Sequence, residues 1–248
     1  MRSLHLAARL AKTGKLLELL RFFLPLECPV CGGQPFDGSP NMLCKDCLQK
    51  IEFLTPPVCP MCGCEYNGLL DVCPLCLQSG KRPWDGALSV FRMNGLVKEL
   101  LHNCKYHKQP ELAALLGELC LLSLRNNMPH IDCIVPVPLH WRRFLQRGFN
   151  QSEELSKRLG QGLGIPVVNA LRRKKYTKQQ AKLGKEARIS NLSGAFSINH
   201  STFVEKRAIL LVDDVMTTGA TLSAAARVLK RAGAAKVYVF TVARRQRN

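Results

Sequence analysis

One stretch of this chain admits few alternatives: Ile209-Leu210-Leu211-Val212-Asp213-Asp214-Val215-Met216-Thr217-Thr218-Gly219-Ala220-Thr221. Its apolar run of Ile, Leu and Val is the pattern of a strand buried on both faces, and it carries Asp213 and Asp214 to its carboxyl end. In open α/β sheets the ligand crevice lies just beyond the strand ends. Thr217, Thr218 and Gly219 are small enough to let backbone N–H groups surround an anion. Ala220, Thr221 and the apolar-periodic residues to Leu229 then open a helix whose positive end faces it. Carboxylates that accept from vicinal hydroxyls, followed by a cradle for an anion, describe a site for a phosphorylated sugar. The missing Gly-Lys-Ser/Thr excludes a Walker loop, and the missing Gly-x-Gly-x-x-Gly excludes a dinucleotide fingerprint. The competing reading is a strand-turn-helix corner with a capping Thr and two solvated acids.

The segment resembles the motif by which type I phosphoribosyltransferases bind 5-phosphoribosyl 1-pyrophosphate (PRPP). The resemblance implies that Asp213 and Asp214 hold the ribose 2- and 3-hydroxyls, that Thr217, Thr218, Gly219, Ala220 and Thr221 wrap the 5-phosphate, and that Mg²⁺ accompanies PRPP.

A second constraint comes from cysteine. Nine of the 12 cysteines lie between residues 28 and 76, eight of them in four C-x-x-C pairs: Cys28/Cys31, Cys44/Cys47, Cys59/Cys62 and Cys73/Cys76. Two thiolates three positions apart in a tight turn share one tetrahedral ion, and the spacing between pairs is near that of zinc ribbons. Two structural Zn²⁺ ions are expected, each closed by four thiolates and so without an open catalytic position. Spacing alone leaves open whether the pairs join in order or interleave. A disulfide framework is the alternative, but it requires an oxidising compartment. Cys64 is a spare, packed or an alternative ligand. Cys104, Cys120 and Cys133 read as small core residues.

At 248 residues the chain is long enough for one sizeable core plus an appendage. The expected domains are an amphipathic helix over residues 1–24, a double zinc ribbon over 25–80 and an α/β domain over 84–248. Charged residues interrupt the first 24 positions, leaving no clean export signal, and no apolar run is long enough for a transmembrane segment, so a cytoplasmic protein is expected. That first helix reads as docking on the body, with a membrane-surface role as the alternative.

The formal charge is +18, and residues 140–188 alone hold 13 basic and three acidic side chains. Such density invites polyanion contact, with nucleic acid and pyrophosphate as the two candidates and a merely solvated surface as the third. Arg142, Arg143, Arg147, Arg172, Arg173, Lys174 and Lys175 are the candidate nucleic-acid contacts. The few aromatic residues here, Trp141, Phe144, Phe149 and Tyr176, favour phosphate contacts over sequence reading.

Strands are expected over Trp84–Met93, Ile131–Val135, Ile165–Leu171 and Lys236–Ala243, with helices over Leu96–Lys105, Glu111–Arg125 and Glu153–Gly162, the last capped by Asn150 or Ser152. Residues 172–195 read as a mobile loop. The alternation predicts a mostly parallel sheet with helices on both faces.

The whole chain, from about residue 20 to 245, resembles the ComF family of competence and DNA-uptake proteins. Besides the acid pair, the likeness rests on the four cysteine pairs, on Pro136-Val137-Pro138-Leu139-His140 followed by Arg147-Gly148-Phe149-Asn150-Gln151, and on the series Arg173, Thr177, Gln180, Leu183, Arg188, Asn191, Phe196. It implies a type I phosphoribosyltransferase-like domain in which residues 136–140 form the pyrophosphate loop and Thr177, Gln180 and Arg188 close over the ligand. It also implies a role with a ComFA-like helicase on incoming single-stranded DNA. Three functions follow: a PRPP- and Mg²⁺-binding enzyme-like protein, including a nucleotide-salvage transferase; a nucleic-acid-binding accessory protein whose sugar-phosphate pocket is vestigial or regulatory; and a docking module acting through its zinc domain. The acceptor cannot be read from the residues.

Overall fold

The computed structural model describes residues 27–36, 43–124, 128–175, 192, 194–199 and 203–246. The helix expected over residues 1–24 lies outside them, as do Thr177, Gln180 and Arg188. The chain divides into two compact units, Met1–Lys50 and Ile51–Asn248.

In the first unit, the described residues form two cysteine turns and helix α1 (Lys45–Gln49). Cys28 N donates to Gly33 O and Gly32 N to Cys28 O, a tight turn that Gly32 completes at φ +73°. The sulfur of Cys44 caps α1 by accepting from Cys47 N.

The second unit contains the other cysteine group, with helix α2 (Pro74–Ser79), and then β1 (Gly86–Arg92), α3 (Gly95–Tyr106), α4 (Pro110–Leu124), β2 (Cys133–Pro136), α5 (Trp141–Arg147), α6 (Gln151–Leu163), β3 (Leu171–Arg173), β4 (Phe196–Ile198), β5 (Ala208–Met216), α7 (Ala220–Arg231) and β6 (Lys236–Arg244). The main sheet has the order β1-β6-β5-β2 and every pair in it is parallel. Ile209, Leu210, Leu211 and Val212 are all fully buried, as a central parallel strand covered on both faces requires. Residues 52–54 cover the free edge of β1: Leu54 N donates to Val90 O and Arg92 N to Glu52 O.

The two faces are covered by different helices. Ile209, Leu211, Val135 and Val237 share one cluster with Leu222, Ala225, Ala226 and Leu229 of α7. On the opposite face, α6 approaches β2 through Gly160, where a methyl group would come within 4.0 Å of Ile134 Cδ1. The adjacent strands β2 and β5 therefore send their connections to opposite sides, which opens a crevice at their carboxyl ends.

Three expectations need correction. The strand expected over Ile165–Leu171 is reduced to one parallel bridge, Val167 with Ile134. Pro166 contributes only its carbonyl, to Ile134 N, and the turn from Ala170 N to Val168 O bends the chain off the sheet. Leu171 begins instead an antiparallel hairpin, β3 with β4, which takes Arg172 and Arg173 out of the expected loop. Finally, β5 does not end at the acids but continues to Met216, because β6 pairs with it as far as Arg244.

Gly160 tests the packing of α6. A Cβ there would lie 2.7 Å from both Ile165 O and Val167 Cγ2, and one of those is backbone. Helix propensity favours Gly160→Ala by about 1 kcal/mol, whereas overpacking costs about 1–3 kcal/mol. The clash is expected to win, giving a net loss of stability in urea denaturation.

Candidate functional site

The β2–β5 pairing ends at Pro136 with Val212, and Val137 N makes the last link to Val212 O. Past that point β5 has a partner on the β6 side only, so Asp213 and Asp214 open onto the crevice. A cavity of about 340 Å³ lies there, bounded by both acids, Lys105, Ser152, the loop Val137-Pro138-Leu139, Arg143, Arg147, Arg173, Thr217 and Thr221.

The acids have different surroundings. Asp213 Oδ1 accepts from Ser152 Oγ at 3.0 Å and from Asp214 N at 2.9 Å. Desolvation and the neighbouring Asp214 charge still push its carboxyl up to about 6. Asp214 Oδ2 pairs with Lys105 Nζ at 2.6 Å, both side chains being mostly buried. Lys105 is itself raised: desolvation works against its charge, but the attraction of Asp214 and Asp213 prevails. It sits in the last turn of α3, where the helix dipole also favours a cation.

The turn after β5 leads into α7 through Gly219, at φ +79°. A methyl group there would lie 3.0 Å from the Trp84 ring, so both conformation and space require glycine. Thr218 Oγ1 accepts from Ala220 N at 3.3 Å, and Ser223 N donates to Gly219 O. The first turn of α7 thus stands beside Thr217 and Thr221 with its positive end at the cavity.

The 136–140 segment divides. Pro136 still pairs within the sheet, Val137 to Leu139 line the cavity, and His140 is buried and caps α5 by accepting from Arg142 N at 3.3 Å. Asn150 fixes the loop, its Nδ2 donating to Val137 O at 3.1 Å, while its Oδ1 caps α6.

The seven basic candidates also divide. Arg143, Arg147 and Arg173 reach the cavity; Arg147 Nη1 donates to Gln151 Oε1 at 3.2 Å, and Arg173 stacks over Phe196 at 5.3 Å. Arg142 is exposed and lies over Trp141 at 5.2 Å. Arg172, Arg173 and Lys174 line a neighbouring cavity of about 600 Å³ with Trp141 and Phe144, and Lys175 is exposed.

Sequence reasoning missed Lys105, Gln151 and the role of Ser152. Lys105 lies more than a hundred positions from the acids and carries no local signal, whereas Ser152 registered only as a helix cap.

The cysteines form two groups, Cys28/Cys31/Cys44/Cys47 and Cys59/Cys62/Cys73/Cys76, and within each group the four sulfurs lie within 4.8 Å of one another. The pairs therefore join in sequence order. Sγ separations of 3.5 Å (Cys31–Cys44) and 3.6 Å (Cys62–Cys73) approach the roughly 3.8 Å between sulfurs around tetrahedral zinc. Cys47 N and Cys73 N donate to the sulfurs of Cys44 and Cys59, as suits thiolates. Both groups fit structural zinc. Cys64 is buried with its Sγ 3.2 Å from that of Cys62. Cys104, Cys120 and Cys133 are buried in the body. Among the described residues, no helix is long and apolar enough to cross a membrane.

Known proteins resemble the chain in both parts. A phosphoribosyl transferase domain family matches residues 144–248, and a double zinc ribbon domain family matches residues 19–77. Competence protein F of Haemophilus influenzae is 31% identical over 230 residues, covering 90% of this chain and 98% of the relative. The DNA utilization protein YhgH of Salmonella typhi is 35% identical over 178 residues, covering 69% of this chain and 77% of the relative. Among solved structures, adenine phosphoribosyltransferase from Leishmania tarentolae is 16% identical with a TM-score of 0.37, over 63% of this chain and 91% of that one.

Lys105→Met removes the cation facing two neighbouring carboxylates while keeping the stem. A stability loss of about 3 kcal/mol is expected at pH 8, the low end for breaking a buried pair because both side chains keep some exposure. The loss should shrink at pH 5, where protonation of Asp213, raised to about 6, relieves its repulsion with Asp214; urea titrations at the two pH values measure it.

Proposed function

We propose that this chain, which belongs to the ComF family, binds PRPP with Mg²⁺ in the Asp213–Asp214 cavity and acts in the handling of incoming single-stranded DNA. The observation that carries the ligand is the meeting in one crevice of two acids, a small-residue turn at a helix start, and three arginines. The acids suit vicinal ribose hydroxyls. Thr217 to Thr221 suit the 5-phosphate, and Val137 to Leu139 with Arg143, Arg147 and Arg173 suit the pyrophosphate. Mg²⁺, when bound with PRPP, supplies charge neutralisation to the departing pyrophosphate. Asp213 and Asp214 then face the positive charge that develops on the sugar ring, while Lys105 holds Asp214 in place. Transfer to an acceptor of nucleotide-salvage type is the further enzymatic reading. The competence and DNA-utilization names of the relatives support the cellular role. A cytoplasmic site of action and a ComFA-like helicase partner belong to the same proposal.

The neighbouring basic and aromatic surface favours a second activity, contact with a phosphate backbone. Arg142, Arg172 and Lys174 are exposed, and Trp141 and Phe144 offer rings for stacking.

Calorimetry with PRPP and Mg²⁺ tests the first reading. Asp213→Asn with Asp214→Asn should weaken binding by about tenfold or more, about 1.4 kcal/mol; equal heats for variant and wild type reject the site. Because Asp213 is raised to about 6, only its ionised form accepts hydroxyls fully. Wild-type affinity should therefore climb between about pH 5 and about pH 7 relative to Asp213→Asn, and level off above. The sign for stability is opposite: the folded protein holds a proton that the unfolded one has released, so this contribution fades as pH rises through about 6. For the second activity, single-stranded DNA binding should fall steeply with salt, and Arg172→Ala with Lys174→Ala should flatten the slope by about 1 to 2. A salt-independent affinity would remove it.

A further inference from the structure

The second cysteine group and the proposed phosphate cradle grip each other from opposite sides of one buried arginine. Three consecutive carbonyls of the Cys59–Cys62 knuckle are held by the α/β body. Pro60 O accepts from Ala87 N at 2.7 Å, Met61 O from Trp84 Nε1 at 2.7 Å, and Cys62 O from Arg244 Nε at 2.8 Å. The contact is close: a methyl group on Gly63, at φ +66°, would lie 2.7 Å from Ser89 Oγ on β1. The other end of Arg244 holds the cradle. Its Nη1 donates to Met216 O at 2.7 Å and Thr217 O at 2.6 Å, with Arg245 O at 3.2 Å. The knuckle's other partner reaches the cradle as well, since the Trp84 ring backs Gly219, and Arg82, stacked 5.4 Å over Trp84, donates to Thr218 O at 3.3 Å.

Arg244 is 2% exposed, and among the described residues no carboxylate pairs with it. A buried guanidinium needs both its hydrogen bonds and a compensating charge. Four thiolates around one Zn²⁺ carry a formal −2 on one side of it, and a bound phosphate would supply negative charge on the other. Because one side chain holds the carbonyls of Cys62 on one side and of Met216 and Thr217 on the other, the position of the knuckle sets the position of the turn. In a trans peptide the N–H that follows each held carbonyl points the opposite way, so those of Thr217 and Thr218 face away from Arg244.

We infer that Arg244 is a positioning residue through which metal at the second cysteine group sets the affinity of the 217–221 cradle for a phosphate monoester. The inference rests on the phosphate reading given above for that cradle. Metal at the first group serves as the comparison. Coupling of this kind is reciprocal: a ligand that depends on the second metal must also retain it.

The test uses the full-length zinc-loaded protein and ribose 5-phosphate. A chromophoric chelator in excess should release two zinc equivalents in separate phases, and saturating ribose 5-phosphate should slow one phase by about threefold or more and leave the other unchanged. Asp213→Asn with Asp214→Asn, which lowers occupancy, should abolish the protection. Arg244→Lys keeps the charge but loses the fork, so it should keep two zinc ions per chain, weaken ribose 5-phosphate about tenfold, and lose the protection. Cys31→Ser, which removes the first group's zinc and leaves one per chain at the second, should bind ribose 5-phosphate as wild type does. Arg82→Ala, which leaves all eight ligands and Arg244 in place, should weaken the ligand by a smaller factor if Arg244 cannot be replaced without unfolding. If wild type binds ribose 5-phosphate but both zinc phases are indifferent to it, or if Cys31→Ser weakens binding as much as Arg244→Lys, the coupling is wrong. If wild type shows no ribose 5-phosphate binding at all, the phosphate reading fails instead.

Discussion

Two adjacent carboxylates at the open side of a buried strand repel each other and demand polar partners, and much of this architecture follows from that. β5 is buried on both faces up to Val212, so the acids arrive in a medium where desolvation alone opposes their charge. Lys105 answers for Asp214 and Ser152 for Asp213. To bring them there, α3 must end beside β5, and α6 must begin beside it. The caps that stop and start those helices, His107 closing α3 and Asn150 opening α6, are therefore as necessary to the crevice as the acids are. The raised carboxyl of Asp213 is what remains uncompensated, and it leaves a place where hydroxyl donors from a ligand would be welcome.

The cysteine groups solve a different problem. A turn such as Cys59 to Cys64 has almost no apolar surface of its own, so cross-linking through a metal replaces the core it lacks. In the second unit the sulfurs nevertheless belong to the same buried cluster as Trp84, Ala87, Leu222 and Val237. The knuckle is thus both a metal site and a piece of the wall behind α7. The cost of burying its carbonyls is met by donors from β1, Trp84 and Arg244, which is why so small a turn can be part of a continuous core.

The parts of this picture legible in the sequence are those with a short period. The run Ile209 to Val212, the Gly219 turn and the apolar spacing to Leu229 announce a strand, a cradle and a helix because each is encoded within a dozen residues. The Cys-x-x-Cys spacing announces tetrahedral sulfur for the same reason, although the order of pairing needed the fold. The 165–171 segment misled because Pro166 and the bend at Ala170 leave only one bridge in an otherwise strand-like run. Helix α5 escaped notice because Trp141, Phe144 and Leu145 are exposed, so its apolar residues do not mark a core-facing stripe. Lys105 and Arg244 were invisible for a deeper reason: each matters through a partner more than twenty residues away, and nothing local distinguishes them from other surface-type cations.

The distribution of charge around the crevice also separates the two proposed ligands. A cavity lined only by Arg143, Arg147 and Arg173 would accept any polyanion, but Asp213 and Asp214 stand in its floor and repel a phosphate placed over them. A molecule with phosphate groups at its ends and a vicinal diol between them meets each group with its complement. A deoxyribose strand has no such diol, and its continuous row of phosphates would set charge against charge at the acids. Among the described residues it finds cations farther out, at Arg142, Arg172 and Lys174, beside the rings of Trp141 and Phe144, where Glu153 is the acid in the cavity lining. Sugar phosphate inside and nucleic acid outside are therefore compatible occupants. The two cavities share one wall, Pro138, Leu139 and Arg173.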